Sequence, residues 1–298
     1  MRYETWKVNT EGTVQAKLDI YIQDACPGKL VIEKRPLVLI CPGGGYEHVS
    51  PREAEPVAMQ FLAAGYHSAV LWYDVAEHGA EFPQHLMELA ACVAYLRKNA
   101  DEFGIIKNKI IVGGFSAGGH LAASLGCFWN KDWLEEKMGM KKECYQPNGL
   151  ILSYPVITSG EFAHRGSFVN VMGSKGANMQ ETASANKVQS NIIAMNLIGT
   201  ELENFLSLEH QVSDSVPPVF MWHTFEDDAV PLENSLLFAM ALRKAGVSLE
   251  YHIFPKGGHG YSLANMQTAT PSLREIEPQC EQWMDLCKNW ITYNFGEK

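Results

Sequence analysis

The apolar positions of this chain switch repeatedly between two spacings, and the switching predicts alternating strands and helices. Val14, Ala16, Leu18, Ile20 and Ile22 alternate with more polar residues, the period-two signal of a half-buried strand, and the turn residues Pro27-Gly28 follow. A second strand is expected over residues 36–41, breaking at Pro42-Gly43-Gly44-Gly45, and a third over 67–73. Between them, residues 52–64 read as a helix with Val57, Phe61 and Leu62 on its apolar face and Gly65 ending it. Leu86, Leu89, Ala90, Val93 and Leu96 recur at helical spacing and predict a long amphipathic helix over about 84–103. Further apolar strands are expected over 109–115, 149–153, 219–223 and 249–254, with helices over about 232–245 and 278–294 flanking the last. Strands alternating with helices imply a mostly parallel sheet covered on both faces, extended antiparallel by the N-terminal strands. One stretch of about sixty residues, from Tyr154 to Pro218 and including Gly173-Ser174-Lys175-Gly176-Ala177-Asn178, lacks this rhythm. Within a single domain spanning 1–298, residues 157–212 or so are therefore expected to form a small helical cap.

Composition narrows the partners. The 298 residues, 46% hydrophobic and 19% charged, suit a soluble globular protein with a sizeable core. A net charge of −10 offers no basic face for phosphates, so nucleic acid is excluded as a partner. The seven cysteines, Cys26, Cys41, Cys92, Cys127, Cys144, Cys280 and Cys287, have neither C-x-x-C spacing nor the arrangement of a disulfide framework or zinc site. Met1-Arg2-Tyr3-Glu4-Thr5-Trp6 has no apolar signal-peptide core and no run reaches transmembrane length, so a reducing, cytoplasmic setting away from membranes is expected.

The chemistry centres on Lys109 to His120. An apolar strand enters Gly113-Gly114-Phe115-Ser116-Ala117-Gly118-Gly119, and a helix-compatible stretch from Leu121 to Cys127 leaves it. This is G-x-S-x-G in a strand–turn–helix setting, which lifts the serine hydroxyl clear of the sheet on a sharp turn. A serine hydroxyl needs a base, and the base an orienting carboxylate. Two strand exits supply them: Glu226-Asp227-Asp228 after the strand ending near His223, and Gly257-Gly258-His259-Gly260 after the strand ending at Phe254. His259, wrapped in glycines, is the expected base. Asp227, four residues before Pro231, is the expected acid, with Asp228 and Glu226 as one-residue alternatives. Of the other histidines, His120 is expected to pack beside the serine turn, and His223 and His252 to be core or sheet-face residues. The glycine triplet at Gly43-Gly44-Gly45 exits an early strand, where backbone N–H groups can turn toward a developing oxyanion. Ala117, just after the serine, is the expected second donor, and Tyr46 and His48 are expected to line the substrate site.

Together these residues resemble the α/β-hydrolase superfamily over most of the chain. More narrowly, Pro42-Gly43-Gly44-Gly45-Tyr46 followed by Arg52-Glu53-Ala54-Glu55-Pro56 is similar to a subgroup of acetyl-xylan-esterase-like hydrolases. So are Phe82-Pro83, Tyr95-Leu96-Arg97 and Gly114-Phe115-Ser116-Ala117-Gly118-Gly119-His120-Leu121-Ala122. Hormone-sensitive-lipase-like relatives carry His-Gly-Gly-Gly where this chain has Pro42-Gly43-Gly44-Gly45, and the matched oxyanion positions are Gly44 and Gly45. The resemblance implies an α/β-hydrolase fold and hydrolysis of short acyl esters, such as acetyl groups on plant-derived sugars or xylo-oligosaccharides. It calls for no metal and no organic cofactor. A serine amidase, peptidase or arylformamidase on the same fold is the alternative, and a binding protein on a dead hydrolase scaffold the rival of a different class.

Overall fold

The seven expected strands, joined by an eighth at the N-terminal edge that was not expected, pair edge to edge in the computed structural model of the chain, which describes residues 1–24, 33–175 and 199–296. They are β1 (Arg2–Lys7), β2 (Lys17–Ile22), β3 (Arg35–Cys41), β4 (His67–Trp72), β5 (Ile105–Phe115), β6 (Gly149–Ser153), β7 (Val219–Thr224) and β8 (Leu249–Phe254). Their spatial order is β1-β2-β4-β3-β5-β6-β7-β8. β1 and β2, and β2 and β4, run antiparallel, and all other neighbours run parallel.

Helices α1 (Glu55–Ala63), α2 (Gln84–Lys98), α3 (Ala100–Phe103), α4 (Ala117–Phe128), α5 (Asp132–Met138), α6 (Arg165–Met172), α7 (Gly199–Phe205), α8 (Glu233–Ala245), α9 (Pro278–Glu281) and α10 (Trp283–Phe295) connect and cover the sheet. Successive strand residues point to opposite faces, so a central strand must be apolar on both. In β3, Leu37, Leu39 and Cys41 join the core on one face while Val38 and Ile40 join the other. The first face packs against residues of α2, α4 and α8, and the second against α1 and α10. This is the α/β-hydrolase architecture expected from the resemblance.

The structure refines several boundaries. The helix expected over 84–103 divides at Asn99, whose side-chain amide donates to the Tyr95 carbonyl and ends α2, while Gly104 at φ +67° ends α3. The helix expected from Arg52 starts later: Pro51–Glu53 is a single tight turn, and Pro56, lacking an N–H, sits in the first turn of α1, where no acceptor is needed. The segment expected as a cap contains α6 and α7. Its residues 176–198, with Gly176, Ala177 and Asn178, lie outside the described residues, as do Cys26 and the turn at Pro27-Gly28. Cys41, Cys92, Cys127, Cys144, Cys280 and Cys287 are free thiols. Among the described residues no helix is long and apolar enough to cross a membrane.

Parallel strands deliver their following loops to one edge of the sheet. β4 lies on one side of β3 and β5 on the other, so the chain reverses direction across the sheet there, the kind of switch point above whose strand ends open α/β sheets bind ligands. The glycine loop after β3 and Ser116 after β5 flank that point.

Candidate active site

Ser116 sits between β5 and α4 with φ +53° and ψ −118°, a conformation L residues avoid unless the surroundings impose it. Its neighbours impose it by close approach. A Cβ on Gly114 would lie 2.1 Å from the Gly118 carbonyl oxygen, and one on Gly118 would lie 2.1 Å from that of Cys41. Only glycine fits at either position, and the turn is tight enough to aim the hydroxyl outward.

The Ser116 hydroxyl donates to His259 Nε2 at 2.8 Å, and His259 Nδ1 donates to Asp227 Oδ2 at 2.7 Å. Three loops, after β5, β7 and β8, thus converge on one line of hydrogen bonds. Among the three adjacent carboxylates, Asp227 is the one that meets His259. Its Oδ1 accepts the N–H groups of Ala229 (3.1 Å) and Val230 (2.9 Å), a turn that tucks the side chain under the loop. Asp228 is exposed, and exposed Glu226 pairs with Lys256 instead. Burial alone would raise the Asp227 pKa, but hydrogen bonds from His223 and His259 outweigh it and hold the carboxyl well below the usual range.

His223 is buried, as expected for a strand residue, but it is also a partner of the acid. Its Nε2 faces two acceptors, Asp227 Oδ2 at 3.1 Å and the Val230 carbonyl at 2.9 Å, so that nitrogen carries the proton. Nδ1 pairs with Ser235 Oγ at 2.7 Å. The spacing of four from His223 to Asp227, one strand end to the next turn, was the only sequence signal of this contact.

The glycine loop lies against the serine turn: a Cβ on Gly43 would come within 3.0 Å of Ser116 Cβ. Gly44 has φ +122° and Gly45 φ +65°, and a Cβ on Gly44 would sit 2.1 Å from the His48 carbonyl oxygen. Asn170 on α6 donates to the Gly45 carbonyl at 2.8 Å and fixes the loop from above. Ala117 opens α4, where first-turn N–H groups lack intrahelical acceptors.

Tyr46 and His48 part company. His48 is exposed beside Gly44, whereas Tyr46 is 1% exposed and its hydroxyl donates to His120 Nδ1 at 3.0 Å. The Tyr46 side chain is therefore a buried strut under the glycine loop, which corrects its expected place on the substrate surface. His120 passes the link on, donating from Nε2 to the Leu206 carbonyl at 2.9 Å, and burial pushes its pKa down to about 4.

Two further groups were given no role from the sequence. His164, at the start of α6, is lowered in pKa by burial and further by His259, against the opposing pull of Asp227; α6 thus brings an imidazole within electrostatic reach of the site. Glu53 is 4% exposed and bonds the Gly43 N–H. Among the described residues no cluster of three or more His, Cys, Asp or Glu side chains could hold a metal ion.

The BD-FAE family model matches residues 18–242. The chain is 35% identical over 234 residues, 78% of its length, to endo-1,4-beta-xylanase B of Butyrivibrio fibrisolvens, of which it spans 33%. Across the curated relatives it matches, it spans between 33% and 60% of their length. Among solved structures, a carboxylesterase of Lactobacillus plantarum superposes with TM-score 0.78 at 28% identity, covering 98% of each chain. An acetyl ester-xyloside bifunctional hydrolase of Caldicellulosiruptor lactoaceticus does so with TM-score 0.70 at 32% identity, covering 96% of this chain and 90% of the other.

Proposed function

The chain belongs to the BD-FAE family, and from that premise and the site geometry we propose that it is a serine carboxylesterase acting on short acyl esters. The observation that carries the reading is the continuous line Ser116 Oγ, His259, Asp227. His259 takes the Ser116 proton as Oγ attacks the ester carbonyl, and the carbonyl π pair moves onto oxygen. The resulting oxyanion is received by the N–H groups of Gly44, Gly45 and Ala117. Collapse of the tetrahedral species expels the alcohol, which leaves with the proton held on His259. Water, deprotonated by the same imidazole, then attacks the acyl-serine, and Ser116 is regenerated as the acid departs. Asp227 keeps the Nδ1–H tautomer and stabilises the imidazolium throughout. Every proton is moved by His259, so the cycle needs no cofactor.

Acetyl groups on sugars are the proposed substrates. The names of the xylanase relative and of the acetyl ester-xyloside hydrolase neighbour support this class. The described part of the segment 157–212, with α6 and α7, is proposed as a cap on one hydrolase domain; Asn170, which bonds the Gly45 carbonyl, and His164, within electrostatic reach of His259, support that role. The test is a panel of acetylated xylo-oligosaccharides, aryl esters of increasing acyl length, formyl amides and dipeptide amides. Acetyl esters should give the highest kcat/KM. A preference for amides, or for long acyl chains, would overturn the assignment.

A further inference from the structure

Glu53 is almost fully buried, and no step of the hydrolysis uses it. Its two oxygens face different loops. Oε2 accepts the Gly43 N–H at 2.8 Å, and Oε1 accepts the Tyr154 hydroxyl at 2.6 Å. The Tyr154 oxygen accepts in turn the N–H of Ser262 at 2.9 Å, three residues past His259. The Tyr154 ring meets the His259 imidazole edge-on, with centroids 5.0 Å apart. A second strut runs beside the first: the Ser262 hydroxyl donates to the Arg52 carbonyl at 2.7 Å. The glycine loop after β3 and the His259 loop after β8 are therefore joined through one carboxylate. The junction lies directly beneath the serine, since a Cβ on Gly43 would be 2.7 Å from Glu53 Oε2 and 3.0 Å from Ser116 Cβ. Tyr154 holds φ +37° and Ser262 φ +52°, non-glycine residues kept in a disfavoured region by the contacts around them.

We propose that Glu53 is a positioning residue for ester hydrolysis, setting the oxyanion donors and, through Tyr154, the His259 imidazole in one register relative to Ser116. The inference rests on the reading of Ser116, His259 and the glycine loop given above. The residue type follows from the demand. A carboxylate accepts at both oxygens, whereas a glutamine in the same place would turn an NH2 donor toward either the Gly43 N–H or the Tyr154 O–H. An alanine would leave both donors buried without an acceptor.

The full chain is compared as wild type, Glu53→Gln, Tyr154→Phe, the double variant and Ser116→Ala. A fluorophosphonate titrates competent sites, p-nitrophenyl acetate gives kcat per titrated site and KM, and thermal melts report folding. Each single variant should lower kcat per site by about tenfold to a hundredfold, the scale of a misplaced catalytic group, with KM changed less than about threefold. Because both break the same link, the double variant should lose no more than about twofold beyond the worse single. If Tyr154→Phe does not fold, Glu53→Gln decides alone. Turnover per site within about twofold of wild type, even with a lowered melting temperature, would make Glu53 purely structural and overturn the proposal. Fully additive losses would overturn it as well. Ser116→Ala separates the two readings. If it is inactive while Glu53→Gln matches wild type, only the positioning role fails; if it retains activity, the reading of the nucleophile fails and the positioning role with it.

Discussion

His223 and His259 share one acceptor: Nε2 of His223 lies 3.1 Å, and Nδ1 of His259 2.7 Å, from the same Asp227 Oδ2. The Ala229 and Val230 N–H groups hold Asp227 Oδ1. The second imidazole, itself fixed by Ser235 and Val230, fixes Oδ2 beside His259 and so sets the tilt of the carboxylate plane. His223→Leu should therefore lower kcat by up to about a hundredfold through misorientation of His259. It should also cost about 1–3 kcal/mol of stability, because Ser235 Oγ and the Val230 carbonyl lose a buried partner. His223→Gln, which retains a donor near Nε2, should recover part of the turnover. Steady-state kinetics with chemical denaturation measure both, and wild-type kcat in His223→Leu would show that His259 is oriented without it.

Tyr46→Phe should leave KM unchanged and destabilise the fold by about 1–3 kcal/mol, since it strands the buried Nδ1 of His120. A residue lining the substrate would behave the other way, raising KM with little effect on stability. Parallel KM and denaturation measurements separate the two.

Stability should peak slightly on the acid side of neutrality. Burial pushes the pKa values of His67, His85 and His120 down to about 4, 3 and 4, so the stability each contributes is complete above its unfolded pKa and is lost as pH falls below it. Glu88 has the opposite sign. Burial, reinforced by neighbouring Asp74, pushes it up to about 8 against the hydrogen bonds from Gln84 and the Asp74 N–H, so its contribution is complete at low pH and declines as pH rises through that value. Below about pH 6.5 three histidines outweigh one glutamate, and between about pH 7 and 8 only the glutamate acts. Melts across pH should show Glu88→Gln losing the decline between about pH 7 and 8 while keeping the acid-side loss. An unchanged alkaline decline would contradict the assignment.

The central strands were legible because both their faces are buried, which leaves runs such as Leu37-Val38-Leu39-Ile40 that no surface element tolerates. β1 was not. As an edge strand its residues are alternately half-buried and exposed, and Arg2, Glu4 and Lys7 mask the pattern. At the site, Ser116, Asp227 and His259 could be picked out because each follows a strand with a glycine- or acid-rich exit. Asp228 and Glu226 stayed open as alternatives to Asp227, because the choice is made by a turn in which Asp227 accepts the next N–H groups. Glu53 was beyond reach for another reason. Its partner Tyr154 lies 101 residues away, and nothing local marks either as half of a pair.

Every step of the proposed hydrolysis depends on Ser116 being the nucleophile of an acyl transfer. Hydrolysis of p-nitrophenyl acetate by wild type and Ser116→Ala, alongside fluorophosphonate labelling with the modified residue located by mass spectrometry, tests it most directly. Labelling at Ser116 and a loss of kcat of at least about a thousandfold in the folded variant are expected. Activity within a few-fold of wild type in Ser116→Ala, or stoichiometric labelling at a different residue, would contradict that role.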